Sequence, residues 1–456
     1  MYSLRQVLIP DKSFIKKLFF IAIPIALQNM SSSILAILDV AIIKGLGETA
    51  ISSVSLAGQF AFVANLITFG FTSGASVFLS RYFAAEDEDG VKKTFIMTTM
   101  LVFLVNSFVA IFAFFTPNTV MKIFTNQPEL IDGGSKYLVT AALSYLLHGI
   151  SSSFFALFRS DRKAHYSMSI TIISLSLKTL LNYILICGWG DIPSYGIQGA
   201  AMSTLISRIV EFCICIMLYI AFIDKKYHLN RQDVKWFNKE NFMNFIGNTY
   251  HIVLNESFWG IGLASFNIIF GRMGAISVSA LSIAKTLEEL FNAFFYGIGI
   301  GAVIILGNDI GTKQYDCAKL NAQRLAAIGL EMGIFIMIGM LTINNCFVET
   351  FFSSLTHQTK HLAKIIITVF AFYMPFRSLS SVLIMGVMRA GGDSKKAMYY
   401  DVLPIYLISL PLGFLLSFLL GLPIYIVLPV MYSKRIIKCV FAVKRLLSDK
   451  WLNTTV

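Results

Sequence analysis

The sequence predicts an all-α polytopic membrane protein whose twelve transmembrane helices form two six-helix repeats around a central cavity. Three observations support this fold class. Hydrophobic residues make up 56% of the 456 residues and charged residues only 14%, against about 25% charged in a soluble domain. Uncharged runs are long enough to cross a bilayer. The two halves of the chain also resemble each other.

Twelve apolar segments follow one another, most of them longer than the roughly 20 residues that a spanning helix needs. They cover residues 18–43, 51–79, 94–115, 137–158, 166–189, 197–223, 243–270, 277–306, 322–346, 363–388, 398–420 and 422–443. Only Gly421 separates the last two, and Pro423 follows it, so we expect a tight turn there. If these two segments were one helix, the count would be eleven and the C-terminus would lie on the other side. The first segment is too long for a signal-peptide core and should remain as a helix.

Lysine and arginine are concentrated in alternate loops, which orients the segments. With the N-terminus inside, the cytoplasmic stretches hold 27 of the 37 basic residues, whereas the outer stretches hold six. Short loops rich in basic residues stay on the cytoplasmic side. We therefore predict a multi-pass protein of the cytoplasmic (plasma) membrane with both termini cytoplasmic. The same loops explain the net charge of +12, so we expect no nucleic-acid partner.

An ungapped shift of 227 residues aligns the first two segments with the seventh and eighth. The aligned pairs are Ile25/Ile252, Leu27/Leu254, Gly47/Gly274, Ala57/Ala284, Asn65/Asn292, Gly70/Gly297, Gly74/Gly301 and Ala75/Ala302. The two GxxxG patterns in this set are expected to let helix backbones approach closely. We divide the chain into an N-terminal lobe at 1–223, a cytoplasmic linker at 224–241 and a C-terminal lobe at 242–456. Equal topology of the lobes is typical of transporters with parallel repeats.

Motifs of enzyme chemistry are missing from the sequence. The six cysteines form no CxxC pair, and the chain has no HExxH motif, no P-loop and no recognisable nucleophile pair. We therefore expect a protein that is not an enzyme, with no catalytic residue, no metal site and no cofactor. ATP should not drive it.

Five stretches resemble the multidrug and toxic compound extrusion (MATE) transporters of the flippase superfamily, over essentially the whole chain. They are LDVAIIKGLGETAISSVSLAG, FTSGASVFLSRYFAAEDEDGVKK, LNYILICG followed by GIQGAAMSTLISRIVE, LNESFWGIGLASFNIIFGRMG and GVMRAGGDSKKAMYYD. The resemblance implies cation-driven export, with a cation-responsive site possible in each lobe.

Ionisable side chains inside apolar segments need a partner, water or a task. Asp39 and Asn182 lie near the outer ends of the first and fifth segments, at comparable depth for about 1.5 Å of rise per residue. They can therefore line one pocket, where a carboxylate takes up a proton or coordinates Na⁺. The resemblance implies that Asp39 is a coupling residue and that Asn182 stands where many members carry Asp or Asn. Thr204, in the sixth segment, is a further candidate for cation coupling or substrate contact.

Lys178 departs from the family's pattern, because an asparagine is common at its position. Its ammonium would face the same way as Asn182, one turn later. It either takes the place of a bound cation near Asp39, which argues against Na⁺ in this lobe, or forms a static pair or reaches towards the membrane surface. The residues leave both interpretations open.

The C-terminal lobe offers carboxylates near the middle of the membrane. Glu256 and Glu288 have similar depth, and we expect them to act together, since two close carboxylates raise one another's pKa and suit proton exchange. Lys285 can neutralise Glu288 or Glu289, the latter being the alternative candidate. The resemblance implies that Glu256 is the seventh-segment coupling residue.

Other ionisable residues have structural interpretations. Arg208 and Glu211 should neutralise each other, and Asp401, Glu331 and Arg377 are assigned no task. Pro24 can kink the first helix and act as a hinge.

Two functions follow. The first is a secondary antiporter, acting as a monomer, that exports amphipathic or cationic organic compounds in exchange for H⁺ or Na⁺ and is surrounded by membrane lipid. The alternative is a lipid-linked oligosaccharide flippase, whose cavity would need several cations to hold pyrophosphate. We expect buried acids to outnumber buried bases, which favours the antiporter.

Overall fold

Helices make up almost all of the part of the chain that the structure, a computed structural model, describes: residues 7, 10–43, 46, 48–190, 192–222, 239–352 and 356–453. They are α1 (Lys12–Ile43), α2 (Glu48–Ala84), α3 (Glu88–Phe115), α4 (Pro117–Phe124), α5 (Pro128–Ser160), α6 (Ala164–Cys187), α7 (Gly196–Phe222), α8 (Lys239–Gly271), α9 (Ala275–Gly311), α10 (Tyr315–Phe351), α11 (His357–Met388), α12 (Ser394–Leu419), α13 (Ile424–Tyr432) and α14 (Lys434–Leu447). The predicted all-helical class is confirmed.

Eleven of the described helices are long and apolar enough to cross a membrane, and they correspond to the first eleven predicted segments. The twelfth predicted segment, 422–443, is shared between α13 and α14. These two short helices meet at Ser433. The start of α14 carries three basic residues, Lys434, Arg435 and Lys438, which makes this part of the chain too polar to resemble the other spans. The short helix α4 is not predicted by the hydropathy pattern.

The helices group into two compact units: residues 27–253, and residues 1–26 together with 254–456. We call them the first and the second unit. The division falls inside α1, after Ala26, and inside α8, after Val253. These two points are 227 residues apart, which is the shift that relates the sequence repeats. The first unit thus contains the beginning of α8, the first helix of the second repeat, and the second unit contains the beginning of α1, the first helix of the first repeat. The predicted boundary in the linker stays a prediction, because residues 224–238 lie outside the described part of the chain.

In the first unit, α5 packs against α2, α3 and α7, and glycines bring α2 close to the beginning of α8. A Cβ atom built on Gly70 would lie 2.7 Å from the Cα atom of Val253, and one on Gly74 would lie 2.5 Å from Cγ2 of Thr249. Only glycine fits at such an approach. The close packing predicted for this GxxxG pattern is confirmed.

In the second unit, the equivalent glycines bring α9 close to the beginning of α1. A Cβ atom on Gly297 would lie 2.5 Å from the carbonyl oxygen of Ala22, and one on Gly301 would lie 3.3 Å from Cδ1 of Leu18. Equivalent helix pairs therefore form in the two units: α2 with α8 in the first, and α9 with α1 in the second. An apolar core of this unit is built from α8 to α13 and includes Phe270, Phe295 and Phe370.

Two helices of the second unit contain wider, π-helical turns. The last eight residues of α11, Ser381–Met388, are π-helical, as are Ile405–Ser409 and Leu415–Leu419 within α12. Pro404 and Pro411 lie beside the first of the two turns in α12 and lack the N–H group of a regular helix. Such turns shift the side chains that follow them around the helix axis.

Candidate coupling and substrate sites

The first unit holds Asp39 between α1 and α6. Its side chain is buried and accepts a hydrogen bond from the Lys178 ammonium, with 2.6 Å between Nζ and Oδ2. The Asn182 amide donates to Oδ1 at 2.7 Å, and the Thr179 hydroxyl donates to the same oxygen at 3.3 Å. The predicted proximity of Asp39 and Asn182 is confirmed, and Lys178, whose pairing with Asp39 the sequence left open, binds the same carboxylate.

Asn182 is fixed from two sides. Besides donating to Asp39, it accepts a hydrogen bond at Oδ1 from the Ser203 hydroxyl of α7. Thr204, the neighbouring residue, instead donates to the backbone carbonyl of Ala200 at 2.9 Å. Ser203 and Thr179 are therefore polar members of this site that the sequence analysis missed. No spacing rule singles out one hydroxyl from several on the same helix.

The second unit holds Glu256 of α8 against a buried arginine. Arg389 donates from Nη2 to Oε1 of Glu256 at 2.7 Å, and the exposed fraction of its side chain is only 1%. Arg389 directly follows the predicted segment 363–388, in a stretch counted as cytoplasmic from its basic residues. Its side chain is nevertheless buried, because the buried Glu256 carboxylate needs an opposite charge and Arg389, directly after the π-helical turn of α11, supplies it.

Two further carboxylates of this unit are bound by α14. Arg435 donates to Oε1 of Glu288 at 2.5 Å, and Lys438 donates to Oδ1 of Asp401 at 2.5 Å. Asn255, next to Glu256, donates to the other oxygen of Asp401 at 3.1 Å. Asp401, which was given no task from the sequence, therefore belongs to the same polar cluster.

The expectation that Glu256 and Glu288 act together stays a prediction. Each carboxylate binds its own arginine, and Asp401 is a carboxylate within electrostatic range of Glu256. Glu289 is exposed. Lys285 lies within electrostatic range of Glu288 and Glu289, but its ammonium donates to Oδ1 of Asn267 at 2.6 Å.

The expected excess of buried acids is wrong. Among the described residues, buried basic side chains are those of Arg81, Arg324, Arg389, Lys434, Arg435 and Lys438, and buried acidic ones are those of Asp39, Glu211, Glu256, Glu288 and Asp393. The reason is that several basic residues counted as cytoplasmic fold back to neutralise carboxylates.

The remaining candidates are placed as follows. Arg208 donates to Glu211 at 2.5 Å, as predicted, and His148 lies 3.3 Å from the same carboxylate. Arg377 donates to Asn292 at 3.4 Å. Glu331 is exposed. Pro24 lies within α1, close to the point where the two units divide, and its role as a hinge stays a prediction.

Comparison with known proteins gives consistent results. The MatE family model matches residues 24–184 and 252–419. A probable multidrug resistance protein NorM of Thermotoga maritima is 22% identical over 418 residues, covering 89% of this chain and 87% of that protein. An uncharacterized transporter of Bacillus subtilis, YisQ, is 22% identical over 90% of this chain and 89% of its own length. A crystal structure of the Vibrio cholerae MATE transporter VcmN superposes with a TM-score of 0.87 at 14% identity, covering 97% of this chain and 98% of that one.

Proposed function

The chain belongs to the MatE family of transporters, and from this premise we propose that it is a multidrug-type antiporter of the cytoplasmic membrane. It exports amphipathic or cationic organic compounds by alternating access, in exchange for H⁺ or Na⁺. The NorM relative, named as a probable multidrug resistance protein, supports the class of substrate.

The observation that carries the coupling proposal is the buried Asp39 with its three donors. In this proposal, a proton that binds Asp39 removes the negative charge facing Lys178. The half-buried ammonium then loses its counter-charge, which is costly, so a different arrangement of α1 and α6 becomes favourable. Because the ammonium already occupies one side of the carboxylate, the site favours H⁺ over Na⁺ as its ligand.

The alternative, a lipid-linked oligosaccharide flippase, has one observation in its favour. The buried bases of the second unit are of the kind that binds pyrophosphate. The match to the MatE family and the name of the NorM relative weigh against it.

Transport by purified protein in liposomes tests both functions. We expect a gradient of H⁺ or Na⁺, imposed in the outward direction, to drive accumulation of ethidium, a lipophilic cation, inside the liposomes. A fluorescent lipid-linked pyrophosphate sugar should stay in its own leaflet. Failure of both gradients to move ethidium, together with flipping of the lipid, would replace the antiporter with the flippase.

A further inference from the structure

The second unit contains more basic than acidic groups in one buried cluster, which we call the α14 cluster. Its carboxylates are Glu256, Glu288 and Asp401, and its basic groups are Arg377, Arg389, Lys434, Arg435 and Lys438. Each carboxylate binds one basic group, so two basic groups of the cluster have no carboxylate partner among the described residues. Lys285 and Glu289, next to Glu288, balance each other and do not change this sum.

Lys434 is one of the two cations in excess. Its side chain is buried, and its ammonium lies 3.8 Å above the ring centroid of Phe266 rather than against a carboxylate. Phe266 occupies the place of Asp39 in the other repeat, 227 residues earlier. The ring attracts a cation but does not neutralise it.

Arg377 is the second basic group without a carboxylate partner among the described residues, and Arg435 has an N–H donor that is not used. Arg377 is half-buried, and its hydrogen bond is to the neutral amide of Asn292. Arg435 uses Nη2 for Glu288, whereas its Nη1 is buried without a hydrogen-bond partner among the described residues. A buried unpaired guanidinium nitrogen is costly. Lys434 and Arg435 lie over the same ring, that of Tyr432, at 5.9 and 4.4 Å from its centroid, and Arg377 is within electrostatic range of Lys434. The open donors therefore lie close together.

From these contacts we infer that the α14 cluster is a binding site for an oxyanion, either the carboxylate of an organic solute or a phosphate, held by Lys434, Arg377 and the free Nη1 of Arg435. One bound oxyanion satisfies that nitrogen and offsets one or both of the excess positive charges, according to its own charge. Arginine and lysine together are suited to this ligand, because guanidinium and ammonium groups form charge-assisted hydrogen bonds with oxyanions. The site goes beyond the proposed exchange of cations.

Equilibrium binding tests the inference without any ion gradient. The full-length protein, in nanodiscs of neutral phosphatidylcholine, is titrated with radiolabelled salicylate and, separately, with inorganic phosphate. We expect saturable binding that Lys434→Met and Arg377→Gln each weaken about tenfold or more, as expected for loss of one hydrogen bond to a charged group. Arg272→Met is the matched control, since Arg272 also lies over a ring, that of Phe418 at 5.6 Å, but is exposed.

Glu288→Gln gives a change of the opposite sign. It frees Arg435 from its carboxylate, and we expect tighter anion binding, which a merely damaged structure would not produce. Salicylate binding that phosphate does not displace identifies an organic carboxylate as the ligand, and mutual displacement identifies a general oxyanion site. Absence of binding by both anions, or binding that Lys434→Met and Arg377→Gln leave unchanged, overturns the inference. Neither result alters the ethidium experiment, so the two proposals fail separately.

Discussion

Four buried carboxylates of this protein are each paired with a basic side chain. Asp39, Glu211, Glu256 and Glu288 each lie within hydrogen-bond distance of a lysine or an arginine. Removing both members of such a pair costs little, whereas removing one leaves an uncompensated charge in a medium that solvates it poorly. Single substitutions at these sites therefore change stability as well as transport, and the two effects must be separated by a second substitution.

Lys178→Asn is expected to alter ion selectivity. It removes the ammonium from Asp39 and restores an amide, so that Na⁺ can approach the carboxylate. We predict that ethidium export by this variant gains dependence on a Na⁺ gradient. Asp39→Asn in the same background should abolish the gain.

Export measured with H⁺ and Na⁺ gradients imposed separately checks this prediction. The prediction would be contradicted if the wild type already exported ethidium in response to a Na⁺ gradient, if this export depended on Asp39, and if Lys178→Asn left it unchanged.

Glu256→Gln is expected to abolish driven export, because an amide does not titrate. From the sequence alone we expect folding and membrane insertion to be unaffected. In the structure, however, the substitution replaces the carboxylate that the buried Arg389 binds with a neutral amide. We predict a loss of roughly 3–5 kcal/mol in stability. Arg389→Gln in the same background should restore most of the stability, but not the export.

Thermal unfolding of the single and double variants in detergent separates the two effects. Wild-type stability of Glu256→Gln would show that the other interactions of Arg389 suffice to stabilise its charge. Wild-type export by the double variant would show that Glu256 does not couple the ion to export.

At the scale of helices, regular geometry and its interruptions have different consequences. The regular part of α6 and α1 allowed a depth estimate that correctly brought Asp39 and Asn182 together. The π-helical turns of α11 and α12 break the 3.6-residue periodicity just before Arg389 and just after Asp401. The rule that places basic residues in cytoplasmic loops describes chain segments and not side-chain directions. It therefore could not predict that Arg389, Arg435 and Lys438 point into the protein.

Gly70→Ala tests the packing of α2 on α8. The added methyl group would lie 2.7 Å from the backbone of Val253, and overpacking of this kind typically costs about 1–3 kcal/mol. Gly58→Ala, in the same helix, has no atom within 4 Å of its added carbon and should be neutral or slightly stabilising. Gly297→Ala should behave like Gly70→Ala, since its methyl group meets the carbonyl oxygen of Ala22.

The apparent melting temperatures of the three variants in detergent provide the measurement. Equal values for Gly58→Ala and Gly70→Ala would contradict the close approach of the two helices.

At the scale of the whole molecule, the distribution of 27 inner and six outer basic residues predicts that both termini and the linker at 224–241 are cytoplasmic. In a cysteine-free background, Asn230→Cys in the linker should be protected from a membrane-impermeant maleimide in intact cells. Asn126→Cys, in a predicted outer loop, should react and serves as the control. Reaction of the linker cysteine without reaction of the control cysteine would show that the orientation is the opposite of the predicted one.

The division of the two units inside α1 and α8 also sets an order of events during synthesis. The first unit is incomplete until Val253 has been made, 227 residues after Ala26, which takes roughly ten to fifty seconds at bacterial and eukaryotic rates of translation. The first half of α1 has no packing partner for longer still, because α9, which packs against it, begins only at Ala275. A codon change that slows the ribosome between α1 and α9 would lengthen this interval and expose the nascent chain to quality control, although it would alter no contact of the finished protein.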